Sequence, residues 1–361
     1  MRRPLEQSSQ TGLTLLELLL VITVLSTMAF LTVAEVSEGA SQARLEDTDT
    51  RLGVVRRALI GSPEPIYDGV LRFSGFASDN GVLPPSATWE DFLQDASAAV
   101  VDDYQAFGPQ SPRFDPVPDS TAYNDGTGET ELSGANEVLQ KGWRGPYARL
   151  GSLAGANFVD GWGNAWSASA TTSGDDLTVT SLGRDAAVGD SGTDVRDPGN
   201  FDYDSDRSTA VALTDWRVDS AGWSVDVRNA SSSAVAPGGC LRATLLIFRN
   251  ADTTGTNGLW RRLTSTCVDF AGGSTLPAGE TVSVTFDNAD YDVTGGSLSD
   301  VTVPQGRHLL LLIDDDDDTD KHSIGGAPAP YITAVSTSRV SAHVNFFARA
   351  ALPSPTLVIT D

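Results

Sequence analysis

Four groups of residues have types and spacing that could do chemistry. Glu17 is the one charge inside an apolar run, LTLLELLLVITVLSTMAFLTVA, from Leu13 to Ala34. A carboxylate on a lipid-facing helix costs roughly 2–4 kcal/mol, so it needs a partner. Cleavage after Gly12 would create an α-amino group at Leu13, four residues before Glu17, and that amine is the nearest available cation. A shallow, protonated Glu17 near the headgroups is the other reading. Between Asp175 and Asp206 lie nine aspartates and two arginines, with no His, Cys or Lys. Such a set lacks a base or nucleophile but suits a hard, oxygen-seeking cation such as Ca²⁺. A solvated acidic loop has the same composition. Asp314–Asp318 with Asp320 form a second acidic run that could hold a cation but reads rather as a solvated hairpin tip. His308, His322 and His343 fall on separate elements and read as surface or satisfied core groups. With no nucleotide-binding glycine loop or nucleophile motif either, an enzyme is not expected.

The elements that must position these groups follow from composition and period. The 361 residues, 40% of them hydrophobic, allow two ordinary domains with real cores. With 48 acidic against 24 basic side chains the net charge is −24, which disfavours nucleic acid over a broad surface. It equally disfavours a body lying flat on anionic lipid. The 22 residues of the apolar run would span roughly 33 Å as a helix, about one hydrocarbon core. A secretory signal places its small cleavage residue after the apolar region. Here Gly12 precedes it, behind a short leader carrying Arg2 and Arg3, so cleavage leaves the apolar helix on the mature chain. Beyond Ala34, Leu45, Thr48, Leu52, Val55 and Leu59 recur at spacings of 3 and 4 and mark one buried face of the same helix. Gly61-Ser62-Pro63-Glu64-Pro65 should end it. From Leu13 to Ile60 the helix would be roughly 72 Å long.

Gly12-Leu13-Thr14-Leu15-Leu16-Glu17-Leu18, with its basic leader and apolar sequel, resembles the processing motif of type IV pilins and type II secretion pseudopilins. The usual first mature residue of that family is Phe, and here it is Leu13. The resemblance implies a prepilin peptidase that cuts after Gly12 and methylates Leu13. It implies a subunit held by one span in the bacterial inner membrane with its head in the periplasm. That subunit is then polymerised with its own copies or with other pilins by an inner-membrane assembly platform, giving a periplasmic or extracellular filament. Glu17 would serve assembly. Further on, Gly142-Trp143-Arg144-Gly145-Pro146-Tyr147 and Asp160-Gly161-Trp162-Gly163-Asn164 resemble stretches that frame the small antiparallel sheet of major pseudopilins. Physically they read as turns pinned by buried aromatics. The stretch Ser181–Asp197 is similar to the calcium loop of that family. Asp185 and Asp194 match it best, and Asp190 or Asp197 must replace a displaced late partner.

The expected fold class is therefore α+β: a pilin-like long helix on a small antiparallel sheet, followed by a β-sandwich. The divisions are a leader over 1–12, a filament-core helix over 13–34, its amphipathic continuation over 35–60, a head over 61–206 and a β domain over 207–361. Within the head a short helix is expected near Trp89–Leu93, and Val101–Glu131 reads as a surface loop. Candidate strands of the β domain are Thr209–Val218, Trp223–Arg228, Leu241–Phe248, Leu259–Phe270, Thr281–Phe286, His308–Ile313, Ala342–Ala348 and Thr356–Thr360. Ordinary major pseudopilins lack such a domain, so two roles stay open. One is a structural subunit of the filament; the other is a low-copy tip or adhesive subunit whose β domain binds a surface, polysaccharide or secreted substrate. Cys240 and Cys267, the only cysteines, are expected to pair if the head lies outside the cytoplasm.

Overall fold

The computed structural model describes residues 15–62, 66–67, 70–71, 73–94, 146–148, 158–170, 175–187, 203–204, 206–237, 240–249, 259–270, 273–286, 302–315, 329–330 and 340–361. Its first element is a single helix, α1, over Leu15–Ile60. In the first half, apolar side chains from Leu15 to Val36 are exposed. The hydroxyls there bond back to their own helix: Thr23 donates to Leu19 and Leu20 carbonyls, Thr27 to Thr23 and Val24, Thr32 to Met28 and Ala29. A polar atom satisfied in this way does not oppose an apolar environment. In the second half Leu45, Thr48, Leu52, Val55, Ala58 and Leu59 are buried, the face that the 3–4 spacing predicts. Gly61 ends the helix in a left-handed conformation, φ 83°, with its N–H on the Arg57 carbonyl at 2.8 Å.

The chain divides into two units, residues 1–50, 159–165 and 181–207 in one and residues 51–158, 166–180 and 208–361 in the other. In the second, the end of α1 packs with two short helices, α2 (Phe76–Asn80) and α3 (Trp89–Gln94). Strands β1 (Ile66–Tyr67) and β2 (Val70–Leu71) form a small hairpin ladder. Strands β3 (Ser167–Ser169), β4 (Leu177–Ser181) and β5 (Arg207–Val211) form a three-stranded sheet with β4 central. Leu177 and Val179 point from β4 into a core with Leu52, Val55, Leu59 and Phe76. Trp89 stacks on Phe158 and on Trp166, ring centroids 5.2 and 6.2 Å apart.

Glu90 lies beside this aromatic stack and accepts the Phe158 N–H at 3.3 Å. Its carboxyl is raised from an ordinary 4.5 to about 6: burial pushes it up, the Phe158 N–H pulls it down and Asp91 adds a smaller upward push. A raised folded-state value stabilises the fold fully below pH about 4.5, and that contribution is lost as pH rises through about 6. Glu90→Gln should therefore raise the unfolding free energy from urea titration at pH 7.5, by about 1 kcal/mol or less after allowing for solvent screening, and leave it unchanged at pH 4. Equal shifts at both pH values would contradict this.

The sequence-predicted strand Thr209–Val218 is instead three elements: β5, a single-turn helix α4 (Leu213–Trp216) and β6 (Arg217–Asp219). The apolar alternation is interrupted because the Asp215 carboxylate accepts the Ala212 N–H at 3.0 Å and nucleates the turn. Trp216 then lies in the α1 core with its indole N–H on the Asp175 carbonyl.

Beyond this point strands dominate. They are β7 (Ser224–Asn229), β8 (Cys240–Arg249), β9 (Leu259–Thr264), β10 (Val268–Asp269), β11 (Thr281–Thr285), β12 (Thr302–Pro304), β13 (Gly306–Asp315), β14 (Ala329–Pro330), β15 (Ser341–Phe346) and β16 (Thr356–Ile359). The expected strand Leu259–Phe270 is thus two, broken at Ser265, whose N–H goes to Ala243 while Thr266 donates to Thr285. Long antiparallel ladders join β8 to β9 and β13, and β13 to β15. A second sheet has the order β11-β7-β16, with β16 parallel to β7. Leu241, Leu245, Leu310 and Phe346 from the first sheet share one core with Val225, Val284 and Leu357 from the second. The class is α+β, a long N-terminal helix with mainly antiparallel sheets.

Candidate functional site

Glu17 lies in the first described turn of α1 and is exposed. Gly12 and Leu13 lie outside the described residues. Among the described residues α1 is the one helix long and apolar enough to cross a membrane.

The acidic loop is positioned by a chain of contacts within the first unit, starting on α1. Thr48 Oγ1, which also lies on the Arg44 carbonyl, accepts the Gly161 N–H at 2.9 Å. Gly161 sits so close to the Arg44 carbonyl that a side chain there would overlap it. The turn that follows is organised by Asp160, which is 2% exposed. Its Oδ1 accepts the N–H groups of Trp162 and Asn164, both at 2.9 Å, and its Oδ2 accepts the Ser181 hydroxyl at 2.8 Å. Asn164 in turn donates its side-chain amide to the Gly183 carbonyl at 2.7 Å. The turn expected to be pinned by a buried aromatic is thus pinned by a buried carboxylate, while Trp162 is half-exposed. Three N–H or O–H donors converging on one carboxylate outweigh the burial of one indole.

Asp185 lies on the loop stem, exposed, with Oδ1 accepting the Ala187 N–H at 3.0 Å. Asp190, Asp194 and Asp197 lie outside the described residues. The stem is closed by residues that sequence reasoning passed over. The Arg184 N–H donates to the Tyr203 carbonyl at 2.9 Å, and its guanidinium grips Asp204 through two bonds of 2.7 and 2.8 Å. Hydrogen bonding to Arg184 holds the Asp204 carboxyl below its usual range. An arginine one residue from a candidate ligand and a late Asp were visible in the sequence, but not their pairing. Among the described residues no three His, Cys, Asp or Glu side chains converge on a metal position.

Cys240, at the start of β8, and Cys267, just before β10, are joined by a disulfide with Cα atoms 5.4 Å apart. His308 is buried, its Nε2 2.7 Å from the Pro304 carbonyl, and His343 is exposed on β15. His322 and the Val101–Glu131 insert lie outside the described residues, as do Asp316–Asp318 and Asp320 of the second acidic run. Compared with known proteins, the chain matches no family model, no curated protein and no solved structure.

Proposed function

We propose that this chain is a subunit of a type II secretion pseudopilus or related type IV filament, processed after Gly12 and polymerised through α1. The observation that carries the reading is the division of one continuous helix. Its first half exposes apolar side chains from Leu15 to Val36, with Glu17 the one carboxylate before Ala34, and its second half buries one face. The first half suits lipid before assembly and the core of a helical filament after it. Its partners are a prepilin peptidase, the inner membrane, an assembly platform, and copies of itself or other pilins. The head is periplasmic. A low-copy tip or adhesive subunit is the second reading, favoured by a β domain with a core of its own. Quantitative immunoblotting of sheared filaments separates the two: thousands of copies per filament fit a structural subunit, one per tip fits the second.

The calcium loop belongs to the same proposal. Asp185, Asp190, Asp194 and Asp197, with backbone carbonyls, would hold Ca²⁺, whose charge would relieve repulsion among them. A stem closed by Arg184 and Asp204 fits a loop that returns on itself. At a free concentration 100 times the dissociation constant, the ion would add about 2.7 kcal/mol of stability. Thermal melts of the full chain in detergent should fall by several degrees on adding chelator. An unchanged midpoint, also in Asp185→Ala plus Asp194→Ala, would leave only a solvated acidic loop.

A further inference from the structure

Asp215 is a buried carboxylate between two arginines from distant parts of the chain. Its side chain is 5% exposed, and Oδ2 lies 2.8 Å from the Arg56 guanidinium of α1. Oδ1 pairs with Arg349, in the turn that follows β15. Burial alone would raise the Asp215 carboxyl, but the Ala212 N–H, Arg56 and Arg349 outweigh it and hold it below the usual range. Arg349 carries a second signal. Its φ is 62°, left-handed for a non-glycine residue, while its side chain is 68% exposed. A surface arginine keeps such a backbone only where something over-determines it, and the contact with Asp215 supplies that.

One more contact joins the same two parties directly, and two others lie beside it. Gln305, between β12 and β13, donates its side-chain amide to the Ile60 carbonyl, the last of α1. Its backbone N–H donates to the Trp216 carbonyl at 2.7 Å. Phe73, which follows β2, stacks on Phe347 of the β15–β16 connection with ring centroids 4.7 Å apart.

We infer that Asp215 is a lock that makes the end of α1, residues 51–60, and the β domain one cooperative unit, through Arg56 on one side and Arg349 on the other. The β domain is then not a module on a flexible tether. Any load placed on it reaches the helix directly, whichever role the subunit has. Removing one partner of a buried, charge-paired group leaves the rest uncompensated, so the effect must appear on both sides of the lock.

Native-state hydrogen exchange on the full chain in detergent micelles, read by mass spectrometry at increasing urea, tests this. Peptides from residues 52–60 of α1 and 306–315 of β13 should lose protection together. In Asp215→Asn both should exchange at least tenfold faster. Arg349→Ala is the milder variant should Asp215→Asn not fold, and it should accelerate exchange in the α1 peptide although it alters the β domain. Different urea midpoints for the two peptides in the unaltered chain, or an Arg349→Ala effect confined to residues near 349, would overturn the inference.

Discussion

Glu17→Ala is expected to leave leader removal intact and to reduce assembled filament at least tenfold. The carboxylate sits in the first turn of a helix whose neighbouring side chains are apolar and exposed. In a filament those side chains become a water-poor core, where the Glu17 charge is tolerable only against a cation. In the proposed filament, the α-amino group of Leu13 from an adjacent subunit would be that cation. Replacing Glu17 removes one member of the pair and strands the other, which costs roughly 3–5 kcal/mol for a buried pair and far more than tenfold in an association equilibrium. Gly12→Val should act one step earlier and leave an unprocessed band. Immunoblots of membrane and sheared-filament fractions report both. Normal filament yield from Glu17→Ala would remove that residue from the mechanism.

Gly61→Ala is expected to destabilise the second unit by about 4 kcal/mol, a very large effect for adding one methyl group. Two penalties combine. Gly61 has φ 83°, where a residue with a Cβ costs roughly 1–2 kcal/mol. The added Cβ would also overlap the Ser74 carbonyl, backbone that cannot rotate away. Ser74 can recede only by moving Gly75, itself left-handed and packed against the Gly61 nitrogen. Urea unfolding followed by tryptophan fluorescence would measure the loss. A change below about 1 kcal/mol would mean that the end of α1 and the Ser74 segment are not held together as described.

Local periodicity made much of this legible. Spacings of 3 and 4 marked Leu45, Thr48, Leu52, Val55 and Leu59, and those side chains are buried. Alternation marked Trp223–Arg228 and Thr281–Phe286, and the strands found there pair in register from Thr281 opposite Arg228 to Thr285 opposite Ser224. Where a short-range polar bond competes with alternation, the period misleads, and Asp215 turning Leu213–Trp216 into a helical turn is the instance. Asp160 could have been read, because an aspartate followed by N–H groups two and four residues on is a local pattern. The pairing of Asp215 with Arg349 could not, since 134 residues separate them and neither neighbourhood signals the other. The acidic loop was recognisable by composition, yet the Arg184–Asp204 closure depends on the path of the chain between them.

The proposed filament pathway begins with loss of the leader at Gly12. Intact-mass and N-terminal peptide analysis of the chain extracted from membranes tests it most directly. The expected product begins at Leu13, N-methylated, with the whole of α1 retained. A chain that still begins at Met1, or one cut beyond Ala34 so that the apolar half of α1 is gone, would contradict it.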